Sequence, residues 1–222
     1  MTEAFLFLDP ISGLPGFHPH WIPRQDGIDV IGDRDFALRN LAPRHDAAIA
    51  AEYPDAAMRH HAEQVHGNRI SVIRSPSCEK SLTHPGVDGL VTDLPNQLLA
   101  IYVADCAAIY LADPVKRAAA LLHSGRKGTE GNILGQAVAA MKSEYGTIAE
   151  NLVCLVSPCI RPPNYEVDIA SMIREQAAAL GIGNFHDSRE NTAADLTRHY
   201  SYRMEKGRTG RMLALLCINP PH

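Results

Sequence analysis

A chain of 222 residues has room for one large domain or two small ones; 45% apolar and 21% charged residues exclude the disordered, collagen-like and coiled-coil classes. No shift in composition marks a seam, so one domain over residues 1–222 is expected, with 1–60 its divergent, least regular part. The net charge of −4, with basic residues scattered, gives no electrostatic footprint for nucleic acid or an anionic membrane, so any anion site must be local.

Met1–Pro10 carries two acids and no basic cluster ahead of a short apolar stretch, and no later run reaches membrane-span length, so a cytoplasmic protein is expected. Prolines 10, 15, 19 and 23 break any periodicity before a helix expected near Asp46–Ala51. From Asn68 the pattern sharpens. Ile70, Val72 and Ile73 predict a strand, and Gln97–Ala104, Ala107–Ala112 and Arg117–Leu122 are apolar runs of strand length. Asp113-Pro114 reads as a turn that makes the last two antiparallel neighbours. The glycine-rich segment Gly125–Gly131 leads to Asn132, an N-cap for a helix to about Ser143. A strand at Leu152–Val156 follows, then a helix capped by Asp168 and stopped at Leu180-Gly181, then a last helix at about Ala193–Met204 and a strand at Met212–Ile218. Strands interleaved with helices make this an α/β chain.

The five cysteines (78, 106, 154, 159 and 217) are odd in number and lack CxxC spacing, so free thiols are expected and neither a disulfide framework nor a zinc ribbon. Cys154 and Cys217 lie in apolar runs, where a free cysteine is a small core residue. Three metal-ligand types stand where strands are expected to end: His66 before Gly67, Cys106 after the run to Ala104, and His123 closing Ala118–Leu122. Three protein ligands with an open fourth position are the arrangement of catalytic zinc. Eleven histidines and five cysteines allow many other triples, however, and spacing alone does not choose among them. His61 and His66 are five apart, which excludes the HExxH pattern, the segment after His123 lacks P-loop spacing, and Gly181-Ile182-Gly183 lacks the third glycine and the context of a dinucleotide site.

Seven strings in order bear on that choice. Gln64-Val65-His66-Gly67, Asp88-Gly89-Leu90-Val91-Thr92, Ala104-Asp105-Cys106, Leu111-Ala112-Asp113-Pro114 and His123-Ser124-Gly125-Arg126-Lys127-Gly128 are followed by Ser157-Pro158-Cys159-Ile160 with Tyr165-Glu166-Val167, and by Ser201-Tyr202-Arg203 with Thr209-Gly210-Arg211-Met212. Over about residues 62 to 218 the chain resembles the laccase-domain family, also called the multicopper polyphenol oxidase or purine nucleoside phosphorylase family, which includes the peptidoglycan editing factor. The resemblance implies mixed β-sheets with outer helices, an α/β/β/α-type layered domain. It also implies a zinc, or alternatively a copper, held by His66, Cys106 and His123. Phosphorolysis of purine nucleosides is the expected activity, with methylthioadenosine phosphorolysis, adenosine deamination and copper-dependent phenol oxidation as family alternatives. Three departures stand out: Arg126-Lys127 replaces the family's Trp-Arg pair, its N-terminal signature is missing from residues 1–60, and Asn191-Thr192 replaces a Cys-Thr step.

Within that expectation Asp105 is an acid/base group or, preferentially, the carboxylate that orients an imidazole. The segment from Gly125 presents backbone N–H groups to an anion, with Arg126, Lys127, Arg203 and Arg211 as cationic contacts, and Tyr165 stacks on a purine or simply packs. The expected partners are therefore a purine nucleoside and phosphate, in a monomer or small homo-oligomer. Two readings from other classes remain: a metal-free thiol hydrolase with Cys106 as nucleophile and His123 or His66 as base, and a catalytically silent, metal-binding interaction protein.

Overall fold

Side chains alternate along the apolar stretch at Gln97–Val103: Leu99, Ile101 and Val103 join one core cluster, Leu98 and Ala100 another. A strand buried on both faces reads as an unbroken apolar run, so this stretch was legible as a strand and had to lie between two layers. The computed structural model describes residues 5–54, 58–76 and 80–220 and bears this out. Its strands are β1 (Phe17–Ile22), β2 (Met58–Ala62), β3 (Ile70–Ile73), β4 (Ser81–His84), β5 (Gly89–Thr92), β6 (Gln97–Val103), β7 (Ala107–Asp113), β8 (Ala118–Ser124), β9 (Val153–Val156), β10 (Asn184–Asp187) and β11 (Met212–Ile218). The helices are α1 (Asp9–Ser12), α2 (Arg34–Glu52), α3 (Arg126–Glu130), α4 (Ile133–Tyr145) and α5 (Ile169–Ala179).

The strands form two mixed sheets, ordered β1-β11-β6-β2-β4 and β10-β9-β7-β8-β5-β3. The main core lies between them, with Leu99 and Ile101 of β6 and Leu216 of β11 facing Tyr110 of β7 and Leu121 of β8. Outside the first sheet, Ile49 and Tyr53 at the end of α2 cover Leu98, Leu213 and Leu215. Outside the second, Leu134 and Met141 of α4 and Ile173 of α5 cover Ile109, Leu111 and Leu122. The layering is therefore α/β/β/α in one domain, as expected. No helix among the described residues is long and apolar enough to cross a membrane.

Several local expectations hold. β7 and β8 pair antiparallel with Asp113 opposite Ala118, and the Asp113 carboxylate accepts the N–H groups of Val115 and Lys116 to close the turn. Asn132 caps α4 by accepting from Gly135 N at 3.0 Å, and Asp168 caps α5 by accepting from Ser171 N at 2.9 Å. Cys154, Cys159 and Cys217 are buried, and burial pushes all three thiols up, Cys159 to about 12 and Cys217 to about 11. Cys78 lies outside the described residues.

Three expectations are corrected. The helix expected at Asp46–Ala51 begins at Arg34, where Asp33 caps it through Phe36 N at 2.8 Å. The expected helix over Ala193–Met204 is a run of turns. Polar side chains compete there with the helix ladder: Asp195 accepts the N–H and the hydroxyl of Thr197, and Ser201 accepts Met204 N–H. Finally, His66 does not end a strand; it lies beyond β2, in the loop before β3, with φ at 62°.

Candidate metal centre and substrate cavity

His123 shares the parity of Ala119 and Leu121, so its ring points toward the inter-sheet layer at the C-terminal end of β8. Ala108 on β7 is its Cα partner, which places Cys106, two residues before Ala108, beside it. His66 completes the group from the β2–β3 loop. One ligand atom from each of His66, Cys106 and His123 lies within 4.8 Å of the others, and the two imidazoles meet edge to face with centroids 4.9 Å apart. Gly125 permits the approach, since a Cβ there would stand 2.7 Å from Cys106 Sγ.

Sequence reasoning missed the residue that holds this arrangement, Asp88. It is fully buried, and its carboxylate accepts His123 Nδ1–H at 2.7 Å. The same carboxylate accepts the backbone N–H groups of Val65, His66 and Gly67 at 3.2, 2.9 and 2.7 Å, which fixes the left-handed turn at His66. Burial pushes the Asp88 carboxyl up, but these hydrogen bonds, led by that of His123, outweigh it and hold it below its ordinary value. An acid entering the apolar run Gly89–Thr92 was the available signal, because a buried carboxylate needs several donors around it. Asp105, the expected imidazole partner, instead accepts Thr192 Oγ1–H and Arg203 N–H, both at 2.7 Å. It ties down the 192 and 203 turns, and Asp88 takes the imidazole.

With Nδ1 bonded to Asp88, His123 has Nε2 left to face Cys106. Burial pushes the Cys106 thiol up, yet the charge of His123 and hydrogen bonds from His123 and His66 outweigh it and bring it down to about 6. Conversely, burial pushes His123 down, while Cys106 and Asp88 outweigh it and raise it to about 9. A thiolate facing two imidazoles is a nitrogen and sulfur donor set that fits zinc or copper and not a hard cation.

The three residues lie in the wall of a cavity of about 680 Å³. Of the residues expected to bind substrate, Arg126, Tyr165, Arg203 and Arg211 line it, as does Asp105; Lys127 does not. Arg126 is in fact the first residue of α3, so the anticipated glycine-rich loop is a short helix. Arg34, Tyr202 and Lys206 are lining residues that sequence reasoning did not single out. Arg126 pairs with Glu130 at 2.9 Å and with Glu166 at 3.6 Å, and Arg203 pairs with Glu166 at 3.4 Å and lies over the Tyr165 ring.

The family model described as multi-copper polyphenol oxidoreductase laccase matches residues 40–170 and 166–219. The chain belongs to this family. Among curated proteins it is similar to the purine nucleoside phosphorylase YlmD of Geobacillus stearothermophilus, 29% identical over 191 residues, 69% of this chain and 70% of that one. A purine nucleoside phosphorylase of Mycobacterium bovis is 34% identical over 131 residues, 59% of this chain, and the match spans about half (48%) of that relative's length. The crystal structure of Geobacillus YlmD superposes with a TM-score of 0.78 over 93% of both chains at 24% identity, a likeness of fold.

Proposed function

We propose that this chain is a zinc-dependent purine nucleoside phosphorylase, with methylthioadenosine phosphorolysis and adenosine deamination as activities of the same cavity. The observation that carries the reading is an open-sided His66, Cys106 and His123 set in the wall of a cavity of about 680 Å³, a volume suited to a small ligand. The names of the curated relatives support the purine nucleoside phosphorylase part of it. A bound zinc would supply local positive charge to a substrate oxygen, and copper would suit the same donors.

The chain's own groups have separable tasks. Asp88 keeps the proton of His123 on Nδ1, so that Nε2 presents its lone pair. Ile160, Tyr165 and Ile169 give one wall an apolar surface for the purine, and the wall's arginines without a carboxylate partner among the described residues hold the anion. In phosphorolysis the N-glycosidic bond breaks with its electron pair leaving on the base, while a phosphate oxygen bonds the anomeric carbon. Hydrogen phosphate loses one proton in forming the ester, and the departing purine gains one. Asp105 is the one carboxylate in the cavity wall among the described residues and is assigned that relay. The expected result is release of free base from inosine, adenosine or methylthioadenosine only when phosphate is present. Metal-loaded protein that releases no base from any of them would refute the assignment.

One observation favours a second reading. A Cys106 thiol brought down to about 6 beside a histidine raised to about 9 is also the poise of a thiol nucleophile. Alkylation separates the two. A ligand thiolate reacts slowly in zinc-loaded protein and faster after chelation, whereas a mass-mapped substrate adduct on Cys106 would establish the hydrolase.

A further inference from the structure

Among the described residues the cavity wall carries five cationic side chains, Arg34, Arg126, Arg203, Lys206 and Arg211, against the single carboxylate of Asp105. The four arginines fall into two pairs. Arg126 and Arg203 are tied to Glu130 and Glu166. Arg34 and Arg211 have no carboxylate partner among the described residues. Arg34 donates to the Glu63 carbonyl at 3.4 Å, and Arg211 Nη1 donates to the Thr209 and Gly210 carbonyls at 2.8 and 2.7 Å. These carbonyls fix the guanidinium without neutralising it. Both arginines line the same cavity, and burial, followed by the charge of Arg34, pushes Arg211 down from its ordinary value. Two guanidinium groups that no carboxylate neutralises, facing one cavity, favour an anion there through charge-assisted hydrogen bonds.

The layering separates Arg34 from the apolar wall. Arg34 is the first residue of α2, outside the first sheet, and Ile169 is the first of α5, outside the second. The cavity therefore lies across the end of the sandwich, with Arg34 contributed from the side of the first sheet and Ile169 from the side of the second.

We infer that Arg34 and Arg211 form the subsite for a phosphate dianion, and that Arg126 and Arg203 brace another part of the wall through Glu166. This deepens the phosphorylase reading and rests on it for the identity of the anion as cosubstrate. The same subsite chemistry would accept free orthophosphate or the phosphate ester of a nucleotide.

The test measures binding and turnover separately on zinc-loaded protein. By calorimetry, Arg34→Gln and Arg211→Lys are each expected to weaken orthophosphate binding about 10-fold or more, the loss of one charge-assisted contact, with Arg203→Gln changing it less than about 3-fold. Arg34 is exposed in the first turn of a helix capped by Asp33, so Arg34→Gln tests the subsite independently of the more buried Arg211. In turnover, Arg34→Gln should raise KM for phosphate with kcat at saturating phosphate kept within about 3-fold. Titration with a nucleoside 5′-monophosphate gives the second arm: binding weakened by Arg34→Gln for the monophosphate but not for orthophosphate assigns the subsite to an ester. If Arg203→Gln weakens phosphate and neither Arg34→Gln nor Arg211→Lys does, the subsite assignment is overturned while the phosphorylase reading stands. If phosphate binds through Arg34 but no nucleoside is cleaved, the subsite stands and the phosphorylase reading falls.

Discussion

Replacing Asp88 with asparagine keeps the shape of the buried side chain and changes only its charge and one acceptor. Oδ1 accepts His66 N–H and His123 Nδ1–H, and Oδ2 accepts the N–H groups of Val65 and Gly67. An amide supplies one oxygen, so either pair of donors meets an NH2 instead. The less costly orientation puts the NH2 at the Oδ1 position, because His123 can answer by switching tautomer, which leaves His66 N–H unpaired. One partly buried donor without an acceptor costs up to roughly 1–3 kcal/mol. For a domain of this size that is a fall of about 2–12 °C in Tm. The switch also moves the His123 proton to Nε2, the nitrogen that faces Cys106. Zinc affinity should then fall about 10- to 100-fold, as for loss of other groups that orient ligand imidazoles. Competition with a chromogenic chelator measures the affinity and calorimetric scanning the stability. Asp88→Asn with zinc affinity within about 2-fold of the parent would refute the argument that this carboxylate fixes the imidazole.

Gly125→Ala would place a methyl group 2.7 Å from Cys106 Sγ. Its backbone at φ −86° accepts alanine, so the expected loss of about 1–3 kcal/mol and the weakened zinc binding come from the displaced thiol, and Cys106→Ala in the same background should remove the stability penalty. The stability of the fold should also depend on pH through His45 and His61, which stack on Tyr102 at 5.9 and 5.4 Å. Burial pushes His45 down to about 4 and His61 to about 3, from the ordinary 6.5. Between those values and 6.5 the unfolded chain binds more protons, so stability is complete above 6.5 and declines as pH falls, by up to about 1.4 kcal/mol per pH unit for each histidine. Urea midpoints at pH 7 and pH 5 measure this, and His61→Phe should flatten the slope; an unchanged slope would sink it.

What the sequence made legible follows from burial. The strands β6, β7, β8, β9 and β11 lie inside the two sheets and are apolar on both faces, so they appear as runs. β4 and β10 are edge strands, short and partly exposed, and β1, the remaining edge of the first sheet, carries His18, Pro19 and His20, so none stands out from a loop. In α2 the buried positions are Ala37, Leu41, His45 and Ile49, a stripe with one small and one polar member, and Pro43 lies within it. That faint pattern hid the helix and with it Arg34. Lys127 misled for the opposite reason: sequence adjacency to Arg126 suggested a shared site, but successive residues of a helix point about 100° apart, and only Arg126 reaches the cavity.

The same geometry weighs between a metal centre and a thiol nucleophile. A nucleophilic cysteine needs one base and an orienting partner, and Cys106, His123 and Asp88 would suffice. His66 is then unexplained. Its loop is held in a left-handed turn at φ 62° by backbone hydrogen bonds to Asp88, with Gln64 and Asp105 also at positive φ nearby. Non-glycine residues in that region cost of order 1–3 kcal/mol each, and the surrounding hydrogen bonds must offset that. The strain brings a second imbalance as well, since a second imidazole beside a buried His123 already raised to about 9 adds a donor where a lone nucleophile requires none. As a third ligand in the proposed metal centre, His66 would account for both: the turn brings it to the space shared with Cys106 and His123, and the side facing the cavity stays open.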